Sequence, residues 1–284
     1  MTSNRDRQRA SARARLEREM AERADRHRRR RRTQAAVAIG AGSLVVILGV
    51  VWIVVAVTDK DKKTTAGANP SASASATPTN CVWNPIIDPS ASPKPSLPAE
   101  AKDVGTPPAS GEPRTGTQVM TMTTGLGVIK VEVDTAHAPC AAESFTYLAS
   151  KKFFDNSKCH RMVTSGIYVL QCGDPTATGR GGPTYRFNEE NLPTNKRPAY
   201  PEGVVALAKT QDPGTSGSQF FIVYKDSDLP ADYTILGHVT EGLDIIKKVA
   251  DAGVVPDPAA QSDTDGAPKT EVKIQSLTMS AATP

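Results

Sequence analysis

The sequence predicts a mainly β fold: a closed, eight-stranded antiparallel barrel capped by two helices, preceded by one transmembrane helix and a disordered tether. Three observations predict it. Short apolar runs recur between residues 115 and 281, two segments of that region show helical spacing, and an uncharged run of 23 residues lies far upstream. So many strands would leave aggregation-prone edges in an open sheet, which favours a closed barrel.

The basic charge of the chain is confined to its N-terminal end. Residues 1–34 contain 13 arginines and 5 acidic residues, a net charge of +8, whereas the rest of the chain has 21 basic and 25 acidic residues, a net charge of −4. This charge distribution excludes a basic folded domain that binds nucleic acids over its surface. We interpret residues 1–34 as a cytoplasmic tail near anionic lipid and expect no nucleic-acid partner; a cytoplasmic interaction arm is the alternative.

The uncharged run covers residues 35–57 and is long enough to cross a membrane. As a helix it would extend roughly 35 Å, against about 30 Å for the hydrocarbon core. A cleaved signal peptide is the alternative, but its basic and apolar regions would both be unusually long. Because the arginines precede the run, the positive-inside rule predicts a single-pass cell-membrane protein with a cytoplasmic N-terminus and an extracytoplasmic domain.

Residues 58–114 are predicted to be a linker rich in proline, serine and alanine. Ten of the 22 prolines lie between residues 59 and 113. A segment of this composition buries too little apolar surface to offset its conformational entropy, so we expect an extended tether. Trp83, Ile86 and Ile87 interrupt the polar stretch, and packing of these residues is left open, although isolated apolar residues in a linker usually have no structural role.

The folded domain, residues 115–281, is predicted to begin with a hairpin. Its strands cover residues 119–123 and 128–133, where apolar and polar side chains alternate. A helix follows from Pro139, because proline suits a first helical turn and apolar residues repeat at helical spacing as far as Ala149. The other predicted strands are 159–163, 168–171, 204–208, 219–223, 234–239 and 271–279, and the second helix is 243–250.

Five motifs of this domain occur in the order and approximate spacing of one known family. They are Phe153-Phe154-Asp155, Cys159-His160-Arg161, Gln171-Cys172-Gly173-Asp174-Pro175, Gly179-Arg180-Gly181-Gly182 and Gly217-Ser218-Gln219-Phe220-Phe221-Ile222. The chain resembles a cyclophilin-type peptidyl-prolyl cis-trans isomerase over roughly residues 117–277. With its apolar run and tether it resembles the membrane-anchored bacterial members. The resemblance implies a rotamase that assists the folding of secreted or envelope proteins, without cofactor or metal.

Rotation about an X-Pro bond requires no bond cleavage. Its barrier of ~18–20 kcal/mol comes from the partial double-bond character of the C–N bond. An apolar pocket for the pyrrolidine ring, a donor to the prolyl nitrogen as it becomes pyramidal, and polar groups that hold the carbonyl would lower it. No nucleophile, metal or tuned base is needed.

The resemblance also assigns roles to individual residues. Arg161 matches the catalytic arginine that donates to the prolyl nitrogen, Gln171 the glutamine that orients this arginine and the substrate carbonyl, and Phe221 the floor of the proline pocket. Asp228 and Tyr233 stand where the family's cyclosporin-binding tryptophan and a nearby histidine are expected, which leaves drug sensitivity open. The other predicted substrate-binding residues are His160, Tyr168, Val169, Ala208, Lys209, Thr210, Gln219, Leu229, Tyr233 and Leu236.

The four cysteines allow three interpretations. A zinc site is disfavoured because no Cys-x2-Cys pair is present, and a Cys159/His160 hydrolase is disfavoured because adjacent strand residues point to opposite faces. An even number of extracytoplasmic cysteines favours disulfides. Cys159 and Cys172 would face each other on a hairpin with Cα atoms about 4.5–5.5 Å apart, which leaves Cys81 to pair with Cys140.

Two functional classes follow from these residues. The first is an active isomerase, and the alternative is a chaperone module that binds proline-containing segments with little or no turnover. Retention of Arg161, Gln171 and Phe221 favours the enzyme, because a pure binder does not need a donor aimed at the twisted amide.

Overall fold

A computed structural model gives the structure of residues 80–93, 95–194, 197–256 and 262–283. Over these ranges the backbone forms fourteen strands and two helices within one compact unit. The strands are β1 (Asn84–Pro85), β2 (Ala101–Lys102), β3 (Thr117–Thr124), β4 (Gly127–Asp134), β5 (Arg161–Ser165), β6 (Ile167–Cys172), β7 (Gly182–Pro183), β8 (Tyr185–Arg186), β9 (Val204–Leu207), β10 (Phe220–Val223), β11 (Ile235–Glu241), β12 (Val254–Pro256), β13 (Asp265–Pro268) and β14 (Ile274–Met279). The helices are α1 (Pro139–Ser150) and α2 (Leu243–Ala252).

Ten strands form one antiparallel sheet in the order β12-β13-β5-β6-β10-β9-β11-β4-β3-β14. The eight predicted strands and both predicted helices are present. The predicted closed eight-stranded barrel is wrong, because the hydrogen-bonded order of the described residues has ten strands and ends at β12 and β14. The reason is that the hairpin β12–β13 occupies the edge of β5. An isolated bridge between Lys158 and Lys273 joins the segment before β5 to the segment before β14.

The main core lies where alternating strand residues meet the two helices. β3 and β4 contribute buried methionine, isoleucine and valine side chains at every second position, as the pleat of a half-buried sheet requires. α1 contributes Phe145 and Leu148, and α2 contributes Ile246 and Val249. These side chains belong to one hydrophobic cluster.

A second hydrophobic cluster lies on the opposite face of β6 and β10. Leu170, Phe220 and Ile222 belong to the main core, whereas their neighbours Val169 and Phe221 belong to the second cluster. Because consecutive strand residues point to opposite faces, the same strands that complete the core also present side chains on the other side. This second face carries the candidate site.

The structure differs from the predicted tether over residues 80–93 and 95–114, parts of which contact the domain. The Trp83 ring makes edge-to-face contacts with Tyr185 at 5.3 Å and with Phe187 at 5.5 Å between ring centroids. Its indole nitrogen donates a hydrogen bond to the Pro108 carbonyl at 2.9 Å. β1 pairs with β8 and β2 with β7. A few aromatic and backbone contacts thus hold a proline-rich segment that composition alone predicts to be unpacked.

Both predicted cysteine pairs are present as disulfides. Cys81 and Cys140, 59 residues apart in the sequence, join the packed N-terminal segment to the first turn of α1. The Cα atoms of Cys159 and Cys172 are 4.0 Å apart, closer than the 4.5–5.5 Å that we predict for directly opposed residues. The residues are not directly opposed, because the β5–β6 register sets Arg161 against Gln171 and Cys159 precedes β5.

The predicted basic tail, transmembrane helix and first part of the linker, residues 1–34, 35–57 and 58–79, lie outside the described residues. Within the described ranges, neither helix is long and apolar enough to cross a membrane.

Glu190 lies at the N-terminus of α1, where the first N–H groups of a helix lack partners within the helix. Its carboxylate accepts a hydrogen bond from the Ala141 N–H at 2.7 Å. Burial raises the pKa of Glu190 from its ordinary value of 4.5 to about 7. Between these two pH values the folded protein therefore binds a proton at Glu190 that the unfolded chain has already released, and the free energy of unfolding falls as the pH rises.

The first prediction concerns Glu190→Gln. A shift from 4.5 to about 7 corresponds to a loss of about 3 kcal/mol of stability between pH 4 and pH 8. We expect the Gln variant to lose less stability than the wild type over this range, by up to that amount, in urea unfolding at both pH values. Glu189→Gln is the control for removing one negative charge at the adjacent position. Equal pH dependence of the wild type and Glu190→Gln would contradict the prediction.

The second prediction concerns Trp83→Ala. Loss of the two aromatic contacts and the indole hydrogen bond should lower the free energy of unfolding by about 2–4 kcal/mol in chemical denaturation. Val82→Ala is the matched control, because the adjacent Val82 is 58% exposed and should change stability by less than about 0.5 kcal/mol. Similar small effects of both substitutions would show that residues 80–114 do not pack as described.

Candidate active site

Strand register brings the main predicted residues into one row. Arg161 of β5 lies opposite Gln171 of β6, Gln171 lies opposite Phe221 of β10, and Phe221 lies opposite Ala206 of β9. Directly opposed residues of antiparallel strands share a face of the sheet. The motifs that carry Arg161, Gln171 and Phe221 are therefore adjacent on the second face, although they span 60 residues of sequence.

A chain of amide hydrogen bonds runs along this row and ends on the backbone. The Arg161 Nη1 donates to Gln171 Oε1 at 3.4 Å, Gln171 Nε2 donates to Gln219 Oε1 at 2.8 Å, and Gln219 Nε2 donates to the Gly181 carbonyl at 2.9 Å. Because the last acceptor is a backbone oxygen, the chain sets the orientation of both amides. Gln171 consequently presents its oxygen to Arg161, as its predicted orienting role requires.

Arg161 is also held from its other side by Asp265. The Nε and Nη2 atoms donate to the two carboxylate oxygens, each at 2.7 Å. These hydrogen bonds raise the pKa of Arg161 above its ordinary value, so the guanidinium is charged at every physiological pH. Three of its five N–H bonds are directed to Asp265 and Gln171, which leaves one on Nη1 and one on Nη2 for a ligand. The Arg161 side chain is 43% exposed and thus accessible.

Beside Arg161 lies a pocket of about 170 Å³, below the size range of drug-binding cavities and suited to a small ring. Phe221 and Tyr233 meet edge to face there, with ring centroids 5.5 Å apart. The residues lining the pocket are Arg161, Ile167, Val169, Gln171, Ala208, Lys209, Phe221, Leu229 and Tyr233. Eight of these nine residues are predicted from the sequence. The pocket is apolar on one side and carries the Arg161 and Gln171 donors on the other.

The remaining predicted residues lie in two adjoining cavities. Thr210 and Gln219 line a cavity of about 290 Å³, together with Gln171, Ala208 and Lys209, which also line the first pocket. His160 lines a cavity of about 680 Å³ on the Asp265 side of Arg161. Burial lowers the pKa of His160, so this imidazole is neutral near pH 7 and adds no charge next to Arg161.

Tyr168 and Leu236 do not line the pocket, and their assignment to its wall is corrected. Tyr168 points to the other face of β6, where its ring centroid lies 6.0 Å from that of Tyr224. Leu236 is fully buried in the main core. In both cases strand alternation places the neighbouring residue on the pocket face: Ile167 lines the pocket and Ile235 packs in the second cluster. Because every second residue of a strand shares a face, Gln171, Val169 and Ile167 lie on the same side of β6. Strand alternation in the sequence therefore identifies Ile167 as a pocket residue.

Asp265, which pairs with Arg161, is a residue of the site that the sequence does not predict. It lies 104 residues after Arg161, in a segment outside all five motifs. The one group of three possible metal ligands among the described residues, Cys81, Glu112 and Cys140, contains a disulfide-bonded pair whose sulfurs are not thiolates.

Comparison with known proteins agrees with this geometry. Residues 119–279 match the family described as cyclophilin type peptidyl-prolyl cis-trans isomerase/CLD. Over 209 residues the chain is 42% identical to a probable peptidyl-prolyl cis-trans isomerase B of Mycobacterium leprae and 39% identical to the protein of the same name in Mycobacterium tuberculosis. Each alignment covers 70% of this chain, and the chain spans 66% and 63%, respectively, of the length of these relatives.

A solved structure of a Cryptosporidium parvum cyclophilin type isomerase has 26% identity and a TM-score of 0.49, covering 59% of this chain and 99% of that one. The family match spans more than half of the chain and includes Arg161, Gln171 and Phe221. The chain therefore belongs to the cyclophilin-type peptidyl-prolyl cis-trans isomerase family.

Proposed function

We propose that this protein is an active peptidyl-prolyl cis-trans isomerase that accelerates rotation about X-Pro bonds in secreted or envelope proteins. The observation that carries the proposal is the position of Arg161, whose two remaining N–H bonds are available at the edge of a pocket of about 170 Å³ with apolar walls on one side. The family membership and the names of the two mycobacterial relatives support the same activity.

The proposed mechanism is non-covalent. The pyrrolidine ring of the substrate packs against Phe221, Val169 and Leu229, and the flanking peptide continues into the cavity lined by Thr210 and Gln219. As the amide twists, the nitrogen lone pair is no longer delocalised, and an Arg161 N–H donates to it. Planar cis and trans amides offer no such acceptor, so the hydrogen bond favours the transition state over both ground states.

Gln171 contributes in two ways. Its oxygen accepts from Arg161, and one of its two amide N–H bonds donates to Gln219. The second N–H is left to hold the carbonyl of the residue before proline while the rest of the peptide rotates. Neither step requires a cofactor, a metal or a proton transfer.

The alternative function is a module that binds proline-containing segments with little turnover. The cavity of about 290 Å³ beside the pocket supports this alternative. Arg161 does not line this cavity, so peptide residues that flank the proline could bind there without it. Substitution of Arg161 distinguishes the two functions. An isomerase would lose turnover, whereas a binding module would show little turnover even in the wild type and would keep its affinity for the peptide.

The third prediction is therefore for Arg161→Ala. Loss of one preorganised donor to the transition state should lower kcat/KM by a factor of roughly 10² to 10³, measured by two-dimensional NMR exchange on a proline-containing peptide. Arg161→Lys keeps the charge but loses the planar fork, and we expect it to recover less than about a tenth of the lost activity. Peptide affinity should change by less than about threefold, because the pocket walls remain.

Thermal unfolding of each Arg161 variant provides the control for folding. Unchanged turnover in folded Arg161→Ala would remove Arg161 from the mechanism, and undetectable turnover in the wild type would favour the binding module.

We also propose that the domain is extracytoplasmic and tethered to the cell membrane through residues 35–57. The uncharged run and the arginines before it support this topology. Two disulfides are typical of proteins that fold outside the reducing cytosol. Residues 1–34 would then face the cytoplasm and the lipid headgroups.

The fourth prediction tests this topology with trypsin added to intact cells. Cleavage should occur at Lys60, Lys62 or Lys63, which precede the segment packed on the domain, and should release a fragment that contains residues 80–284. The arginine-rich tail should be digested only after the cells are permeabilised. Digestion of the tail in intact cells, with the domain protected, would show the opposite orientation.

A further inference from the structure

The hairpin β12–β13 brings a carboxylate to the proposed catalytic arginine. Asp265 lies opposite Val163 of β5. Arg161 is two residues before Val163 and is therefore the diagonal neighbour of Asp265 on the same face of the sheet. Long side chains reach each other across this distance. Just before Asp265, the Thr264 carbonyl accepts hydrogen bonds from the Thr164 N–H at 2.9 Å and the Thr164 hydroxyl at 3.2 Å. These hydrogen bonds hold the backbone on which Asp265 lies beside β5 independently of Arg161.

The geometry of the ion pair restricts the guanidinium to one orientation. Both carboxylate oxygens accept, one from Nε and one from Nη2, in the parallel two-bond arrangement that matches the planar fork of arginine. The Asp265 side chain is 20% exposed, so the pair is partly shielded from solvent. An arginine without such a partner would sample several rotamers, and binding substrate would have to order it.

We propose that Asp265 is a positioning residue that holds the Arg161 guanidinium so that its two remaining N–H bonds meet the twisted prolyl amide. This inference rests on the proposed isomerase function. Asp265 itself does not touch the substrate; it acts by fixing the plane and rotation of Arg161, while Gln171 fixes Nη1 from the other side.

The contacts of the hairpin separate this role from a structural one. β12 and β13 are joined by three residue pairs, from Val254 with Pro268 to Pro256 with Gly266, and β13 is joined to β5 by two more. Within the described residues, the ion pair of Asp265 is with Arg161. Removal of the carboxylate should therefore leave the backbone of the hairpin in place and release the arginine.

The test compares Asp265→Ala and Asp265→Asn in the full chain. We expect kcat/KM to fall by about tenfold in Asp265→Ala through kcat, with KM changing less than about twofold, because misorientation of a donor affects the transition state more than ground-state binding. Asp265→Asn retains one acceptor oxygen and should lose less. Asp263→Asn is the matched control, since it removes the same charge from an exposed position of the same segment, and should leave both constants unchanged.

A double-substitution cycle with Arg161→Ala distinguishes positioning from a general effect. If Asp265 acts through Arg161, Asp265→Ala has no further effect on kcat/KM in the Arg161→Ala background. An equal loss in both backgrounds overturns the inference, as does increased turnover in Asp265→Ala, which would mean that the carboxylate competes with substrate for the guanidinium.

Hydrogen exchange of the Arg161 Nε–H, measured by NMR, reports on the ion pair separately from the stability of the fold. We expect slow hydrogen exchange of this proton in the wild type and in Asp263→Asn, and fast exchange in Asp265→Ala. Loss of activity in Arg161→Ala but full activity in Asp265→Ala overturns this inference alone and leaves the proposed function intact. Full activity in folded Arg161→Ala removes the role of Arg161 and this inference with it.

Discussion

The pairing of β5 with β6, in the register that sets Arg161 opposite Gln171, is the constraint on which the rest of the site depends. Side chains alternate along a strand, so a slip of one residue would turn Arg161 into the main core and Met162 out of it. Three features hold the register. The Cys159–Cys172 disulfide lies at one end of the two strands, β13 pairs along the outer edge of β5, and β10 sets Gln171 against Phe221.

The site is assembled across strands, and this determines how well sequence reasoning predicts it. Strand alternation and the five motifs locate the eight predicted strands, both helices and eight of the nine pocket residues. Tyr168 and Leu236 are misassigned because the resemblance assigns them to the pocket wall, whereas strand alternation turns them toward the main core and their neighbours Ile167 and Ile235 toward the second face. Asp265 and the contacts of Trp83 depend on residues about 100 positions away, and no local pattern encodes them. The closed barrel is a wrong prediction because β13 pairs with the edge of β5, and the sequence pattern of residues 254–268 does not indicate these strands.

The roles of the surrounding residues follow from how rotation about an amide is accelerated. No bond is broken, so the protein needs fixed donors beside a dry surface rather than reactive groups. Asp265 and the Gln171–Gln219–Gly181 chain supply that fixation from opposite sides of Arg161. The neutral His160 adds no charge next to the guanidinium, and Phe221 and Val169 form apolar walls beside it.

The central claim is that an arginine oriented by Asp265 and Gln171 donates to a proline held against Phe221. A structure of the protein with a bound X-Pro peptide tests this claim most directly. We expect the pyrrolidine ring to lie between Val169, Phe221 and Leu229, with an Arg161 N–H directed at the prolyl amide and both hydrogen bonds to Asp265 retained. A proline bound in either adjoining cavity, or a guanidinium that turns away from Asp265 on binding, would contradict it.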